Sequence, residues 1–70
     1  MEYFSEFTST TVAKIGYDNA NSTLEVAFHN GGTYQYMDVP EHIWEAFKSA
    51  ESQGKFLSQN IKGQYRYSKV

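Results

Sequence analysis

Cations and aromatic rings coincide in the C-terminal segment of this 70-residue chain. Residues 1 to 51 hold all eight carboxylates and only two lysines, a net charge of −6, whereas residues 52 to 70 hold four cations and no acid, a net charge of +4. Cations bind phosphates and aromatic rings stack on unpaired bases, so this composition is typical of a nucleic-acid-binding surface. A solvated basic face that balances the acidic remainder explains the same residues. The candidate binding residues of the segment are Lys55, Phe56, Lys62, Tyr65, Arg66, Tyr67 and Lys69.

Tyr34 and Tyr36 form a second candidate surface. They stand two residues apart in the β-forming stretch Thr33 to Met37, which places both side chains on one face of a strand. Exposed, the rings would stack on unpaired bases, a contact worth roughly 1 to 3 kcal/mol per base. In the alternative interpretation the rings pack under a helix and their hydroxyls reach the rim of the core, because large aromatics in a small domain are usually core residues. The sequence leaves both interpretations open.

The histidines and their acidic neighbours offer little catalytic chemistry. His29, His42, Asp38 and Glu41 are the candidate acid-base or metal-binding groups, and their spacing matches no set of metal ligands. No nucleophile elbow is present, and the run from Asn30 to Gly32 is explained as a turn rather than a phosphate loop. We therefore expect a protein that is not an enzyme and has no catalytic, cofactor-binding or metal site.

Length and composition indicate one small domain with an aromatic core. The chain has six Tyr, five Phe and one Trp but no cysteine, so aromatic burial must replace disulfides as a source of stability. The absence of cysteine fits a reducing compartment. No apolar run is long enough to span a membrane, and the first residues do not resemble a signal peptide. We expect a cytoplasmic protein that does not bind membranes.

Two strands are predicted before the tyrosine pair. Thr10 to Tyr17 is rich in β-branched residues, and Thr23 to His29 alternates cleanly between apolar and polar residues. The turn-forming run from Asp18 to Ser22 should join them in a hairpin. Val12 breaks the alternation of the first strand. Either it lies on the face opposite Ile15, or a bulge near Lys14 brings both to one side.

Asn30-Gly31 predicts a two-residue type I′ turn between the second strand and a third strand at Thr33 to Met37. In that register Phe28 faces Thr33 and lies on the side away from the tyrosines. A bulge at Gly32 would instead place Phe28 on the face of Tyr34 and Tyr36.

A helix should follow the third strand at once. Pro40 suits its first turn, and Asp38 and Glu41 have capping-box spacing. Its apolar stripe contains Ile43, Phe47 and Ala50. A short second helix is predicted over Lys55 to Ile61, and Gln64 to Tyr67 should form an edge strand or an extended tail. Residues 1 to 9 are expected to form an arm that either frays or docks its aromatics on the domain.

The predicted fold is therefore α+β, in one domain spanning residues 1 to 70. It contains a three-stranded antiparallel meander packed against one main helix, followed by a short second helix and an extended C-terminal segment.

The order of these features resembles the KTSC domain family, over about residues 9 to 67. The resemblance is carried by Ile15-Gly16-Tyr17-Asp18, Thr23-Leu24-Glu25-Val26 with Phe28, Gly32-Thr33-Tyr34-Gln35-Tyr36, Val39-Pro40, Ser52-Gln53-Gly54-Lys55-Phe56, and Ile61 ahead of Tyr65. The family is named after the C-terminal domain of some lysyl-tRNA synthetases and has a central Tyr-x-Tyr motif, matched here by Tyr34 and Tyr36. The resemblance implies a stand-alone member of bacterial or phage origin, in a family of unknown function for which RNA binding has been suggested.

Taken together, the residues and the resemblance predict a small non-catalytic binding module. RNA or another single-stranded nucleic acid is the expected partner, through the basic segment and the tyrosines. The alternative is a protein-interaction module that docks through a sheet edge or through an aromatic patch around Trp44 and the N-terminal arm. We expect a monomer or a weak dimer.

Overall fold

A five-stranded antiparallel sheet organises the chain, and the computed structural model describes all residues from Met1 to Val70. Its strands follow one another in chain order: β1 (Glu2–Phe4), β2 (Val12–Asp18), β3 (Thr23–Phe28), β4 (Thr33–Tyr36) and β5 (Tyr67–Lys69). Between β4 and β5 the chain forms α1 (Glu41–Lys48), α2 (Gln53–Phe56) and a π-helical turn (Leu57–Ile61) that continues α2. The α+β class is confirmed, but the prediction of three strands is wrong.

The two additional strands lie at the edges of the sheet. Each has three residues, and β1 pairs with β2 while β5 pairs with β4. Of the two alternatives predicted for Gln64 to Tyr67, the structure has the edge strand, but it begins only at Tyr67 and extends to Lys69. The N-terminal segment follows the docked alternative, because Glu2–Phe4 pairs in the sheet and Phe4 and Phe7 pack against the core.

A β-bulge in β2 decides the position of Val12. Val12 lies opposite Phe28 while Lys14 lies opposite Ala27, so the residue between them is extra. The bulge reverses the alternation and brings Val12 onto the same buried face as Ile15. Of the two alternatives that the sequence leaves open, the structure has the bulge.

The β3–β4 hairpin has a three-residue loop, so the predicted type I′ turn is wrong. The Gly31 N–H donates to the Phe28 carbonyl at 3.0 Å, and the Phe28 N–H donates to the Gly32 carbonyl at 2.8 Å. Only Gly31 in this loop has a positive φ, +98°, whereas a type I′ turn needs two such residues.

This loop sets the register of the tyrosines. Tyr34 pairs with Val26, and Tyr36 pairs with Leu24. Val26 and Leu24 are completely buried. Directly opposed residues share a face of the sheet, so both tyrosines lie on the inner face, which carries the core. Phe28 shares that face and meets Tyr34 edge-on, with ring centroids 5.7 Å apart.

Helix α1 begins after Pro40 without a side-chain cap, so the predicted capping box is absent. Asp38 is exposed and has a positive φ of 57°. The helix buries Trp44 and Phe47, and Ile43 packs beside them half-buried.

The core lies between the inner face of the sheet and the helices. Eleven hydrophobic residues are buried: Val12, Ile15, Tyr17, Leu24, Val26, Tyr36, Val39, Trp44, Phe47, Leu57 and Ile61. Tyr17 stacks on Trp44 with centroids 5.7 Å apart, and its hydroxyl donates to the Val39 carbonyl at 2.6 Å. Aromatic burial therefore joins β2 to α1, as the lack of disulfides requires. Neither helix has the length and apolar character needed to cross a membrane.

Candidate functional site

The inner face of the sheet carries an open cleft of about 770 Å³ beside β4 and β5. Four aromatic residues, Phe28, Tyr34, Tyr36 and Tyr67, line it together with Lys62 and Lys69. We call this site the aromatic cleft. Its volume lies within the range of roughly 300 to 1,000 Å³ that is usual for small-molecule ligand sites.

The rings of the aromatic cleft are in contact and differ in exposure. Tyr67 lies 5.6 Å from Tyr36 and 5.7 Å from Tyr34, measured between ring centroids. Tyr36 is 4% exposed, Tyr34 is half-buried and Tyr67 is 62% exposed. The three tyrosines thus form a continuous contact from the buried Tyr36 to Tyr67, whose ring is accessible to a ligand.

Two lysines place positive charge at the aromatic cleft. Lys62 directly follows the π-helical turn, where its N–H donates to the Leu57 carbonyl at 2.9 Å, and its Nζ lies 6.0 Å from the centroid of the Phe28 ring. Lys69 lies in β5 opposite Tyr34. Both are exposed, and no carboxylate lines the aromatic cleft. The site therefore favours anions.

Tyr36 remains protonated at neutral pH. Burial raises the pKa of its phenol, and the neighbouring Tyr67 and Tyr34 phenols raise it further because their ionised forms would repel its own. Its neutral hydroxyl can both donate and accept a hydrogen bond.

Five of the predicted site residues meet in the aromatic cleft, namely Tyr34, Tyr36, Lys62, Tyr67 and Lys69. Tyr36 belongs to the core, as the packed alternative predicts, and Tyr34 is half-buried against it, while both also line the cleft. Phe28 was not predicted as a site residue. The alternative hairpin register, which places Phe28 on the tyrosine face, is the signal that points to it.

The other four predicted residues lie elsewhere. Phe56 stacks on Phe47 with centroids 5.0 Å apart, and Tyr65 is half-buried against the core. Arg66 is exposed with its Nη2 3.9 Å from the Asp38 carboxylate. Lys55 lines a different groove. These four do not form part of the aromatic cleft.

That second groove, of about 560 Å³, adjoins the aromatic cleft and shares Lys62 and Thr11 with it. Hydroxyl side chains from the β1–β2 connection and from the helical region dominate its lining: Thr8, Ser9, Thr10, Thr11, Ser52 and Ser58. We call it the hydroxyl groove.

Trp44 is 1% exposed, so it cannot contribute to the aromatic docking patch that was one alternative interaction surface. The structure contains no group of three or more His, Cys, Asp or Glu side chains that could hold a metal ion.

Comparison with known proteins gives consistent similarities. A family model described as KTSC domain matches residues 8–65. The crystal structure of a KTSC domain protein from Yersinia pestis superposes with a TM-score of 0.88 and 42% identity, covering 91% of this chain and 90% of that one. An uncharacterized protein from Stutzerimonas stutzeri is 36% identical over 63 residues, 89% of each chain. A lysine–tRNA ligase from Nostoc punctiforme is 26% identical over 61 residues, which are 87% of this chain but 11% of the ligase.

Proposed function

The chain belongs to the KTSC domain family, and we propose that it is a small non-catalytic module that binds single-stranded nucleic acid, with RNA as the first choice, in its aromatic cleft. The observation that carries the proposal is the meeting of the exposed Tyr67 ring with Lys62 and Lys69 in one open cleft. Proteins that bind single strands combine these two elements, with rings for the bases and cations for the backbone.

The positive charge of the aromatic cleft favours a nucleic acid over other ligands that bind to aromatic rings. A cluster of tyrosines alone would also suit a quaternary ammonium ion. Two lysines without a carboxylate would repel such a cation, whereas a nucleotide brings both an aromatic base and an anionic phosphate. The cleft is therefore best matched by a nucleotide unit.

The ligase similarity supports RNA over DNA as the first ligand to test. A segment of lysine–tRNA ligases resembles this chain, and the name of those proteins makes a transfer RNA their substrate. We also place the protein in the cytoplasm, where RNA is available.

Fluorescence anisotropy with a labelled uridine decamer tests the proposal. We expect binding at low salt that weakens as salt rises, with a slope of log K against log salt of about −1.4 if two phosphates are neutralised. A chain that binds neither RNA nor DNA at low salt would not have this function.

A protein partner is the second candidate, because β1 and β5 leave both edges of the sheet open. Tyr3, Tyr67 and Val70 at these edges are more than half exposed. An extended peptide could add to such an edge, and a second copy could do so weakly, giving a dimer. A pull-down that keeps its partner after nuclease treatment and at high salt would favour this function. Sizing chromatography with light scattering measures the self-association.

A further inference from the structure

We propose that the hydroxyl groove is a ribose-binding extension of the aromatic cleft and that it makes the protein prefer RNA to DNA. This inference rests on the proposed function. The two sites share Lys62 and Thr11, so a strand that leaves the aromatic cleft passes the Lys62 ammonium and enters the hydroxyl groove. Lys62 is therefore suited to a phosphate at the junction.

The lining of the hydroxyl groove does not suit bases or phosphates as the main ligand groups. It contains no aromatic ring, and Leu57 is its single hydrophobic residue, so bases have nothing on which to stack. Its charged side chains are Lys55, Lys62 and Glu51, a net charge of only +1. The carboxylate opposes phosphate binding but readily accepts a hydrogen bond from a hydroxyl. The groove is therefore better matched to sugars.

Four hydroxyls of the groove are available for a ligand. Two others have structural roles: Ser9 Oγ accepts from the N–H groups of Thr11 and Val12 at 3.2 and 3.0 Å, and Ser52 Oγ accepts from the Lys55 N–H at 3.2 Å. The remaining four, on exposed residues, take part in none of the hydrogen bonds within the chain: Thr8, Thr10, Thr11 and Ser58. A Ser or Thr hydroxyl donates and accepts, which matches the ribose 2′-hydroxyl.

The hydroxyl-bearing connection is held in place by the β3–β4 hairpin. His29 Nε2 lies 2.8 Å from the Ser9 carbonyl, to which its N–H tautomer donates. The backbone N–H of His29 donates to the Thr11 carbonyl at 3.0 Å. Both ends of Ser9–Thr11 are thus fixed, which lowers the entropy lost when a ligand binds.

The test compares three decamers of identical base sequence by anisotropy: uridine RNA, deoxyuridine DNA and 2′-O-methyl RNA. We expect the unmodified RNA to bind at least about fivefold more tightly than the DNA, the effect of roughly one good hydrogen bond, with the 2′-O-methyl RNA also weakened because it cannot donate. The triple variant Thr8→Val, Thr10→Val and Ser58→Ala removes three of the four available hydroxyls and should bring RNA affinity close to that of DNA while leaving DNA affinity unchanged. Ser49→Ala, an exposed hydroxyl outside both sites, is the matched control.

The outcomes separate this inference from the proposed function. Equal affinity of the wild-type protein for RNA and DNA, with both weakened by Tyr67→Ala, overturns the ribose site and leaves nucleic-acid binding in place. An RNA preference that the triple variant leaves undiminished also overturns it. If no decamer binds, the proposed function and the ribose site fail together. The oligonucleotide comparison on the wild-type protein needs no variant to fold.

Discussion

The ring of Tyr67 in β5 lies 5.6 Å from the ring of Tyr36 in β4, with the two planes inclined by 40°. The residues are directly opposed in the antiparallel ladder, which fixes this contact. Tyr36 is 4% exposed and Tyr67 is 62% exposed, so the solvent-exposed ring of Tyr67 packs on a ring of the core. Tyr67 is thus held in position before any ligand arrives, which favours stacking on a base.

Tyr67→Ala should weaken binding of the uridine decamer about 5- to 150-fold, because one stacked base is worth roughly 1 to 3 kcal/mol. The free energy of unfolding should fall by less than about 1 kcal/mol, since the side chain is mostly exposed. Anisotropy titrations and urea unfolding measure the two effects.

Tyr3→Ala is the matched control for Tyr67→Ala. Tyr3 is 52% exposed and lies opposite Gly16, on the face of the sheet away from the core. Its removal should leave RNA affinity unchanged. Equal losses from the two variants would show that the aromatic cleft is not the binding surface.

The lysines of the aromatic cleft should determine the salt dependence of binding. Lys62→Ala and Lys69→Ala should each reduce the slope of log K against log salt by about 0.7, the value for one phosphate of a single strand. Arg66→Ala should leave the slope unchanged, because Arg66 lies outside the cleft beside Asp38. If Arg66→Ala reduces the slope as much as Lys62→Ala, the whole basic segment attracts the strand and the cleft has no special role.

Tyr36→Phe should protect the protein against alkaline unfolding. The raised pKa of Tyr36 means that the unfolded chain loses this proton at a lower pH than the folded chain. The free energy of unfolding therefore falls as pH rises from about 10 through the folded-state pKa. The variant lacks this loss. Urea unfolding at pH 7 and above pH 10 measures it, and an equal decline in both proteins would contradict the role of Tyr36.

Long periodic elements of this fold could be predicted from the sequence. The clean alternation of β3 and the apolar spacing after Pro40 identified the central strands and α1, and the ordered motifs identified the family. The short strand β1 was not predicted, and β5 matches the edge-strand alternative for Gln64 to Tyr67 only in kind, since it lies further along the chain. Each of the two strands is specified by pairing with the body of the sheet rather than by its own pattern. The hairpin register could not be decided, because one residue more or less in the loop shifts it and Asn30-Gly31 fits both the two-residue loop and the three-residue loop that the structure has.

The types of residue in the candidate site could be predicted from the sequence, but not which residues of those types line it. Lys62, Tyr67 and Lys69 follow from the coincidence of charge and rings in the basic segment. Phe56 and Tyr65 have the same residue types but turn toward the core. Which way each ring faces depends on the π-helical turn and on the pairing of β5, and neither has a pattern that spacing reveals.

Gly16→Ala should destabilise the protein through a clash with Tyr3. A Cβ at position 16 would lie 2.7 Å from Tyr3 Cδ1 and 2.8 Å from Cε1, closer than carbon atoms can approach. Tyr3 belongs to an exposed edge strand and can move, so we expect a loss of about 1 kcal/mol, at the lower end of the cost of overpacking. Urea unfolding measures it.

A double-mutant cycle identifies the cause of that loss. In a Tyr3→Ala background the clash with the ring is gone, and the remaining close atom, Met1 Sδ at 3.1 Å, belongs to an exposed flexible side chain that can move. Gly16→Ala should then become neutral or stabilise by up to about 1 kcal/mol, because alanine loses less conformational entropy on folding than glycine. Equal destabilisation in both backgrounds would mean that the Tyr3 ring is not the reason why position 16 requires glycine. RNA affinity should stay constant throughout the cycle, since this contact lies on the face of the sheet opposite the aromatic cleft.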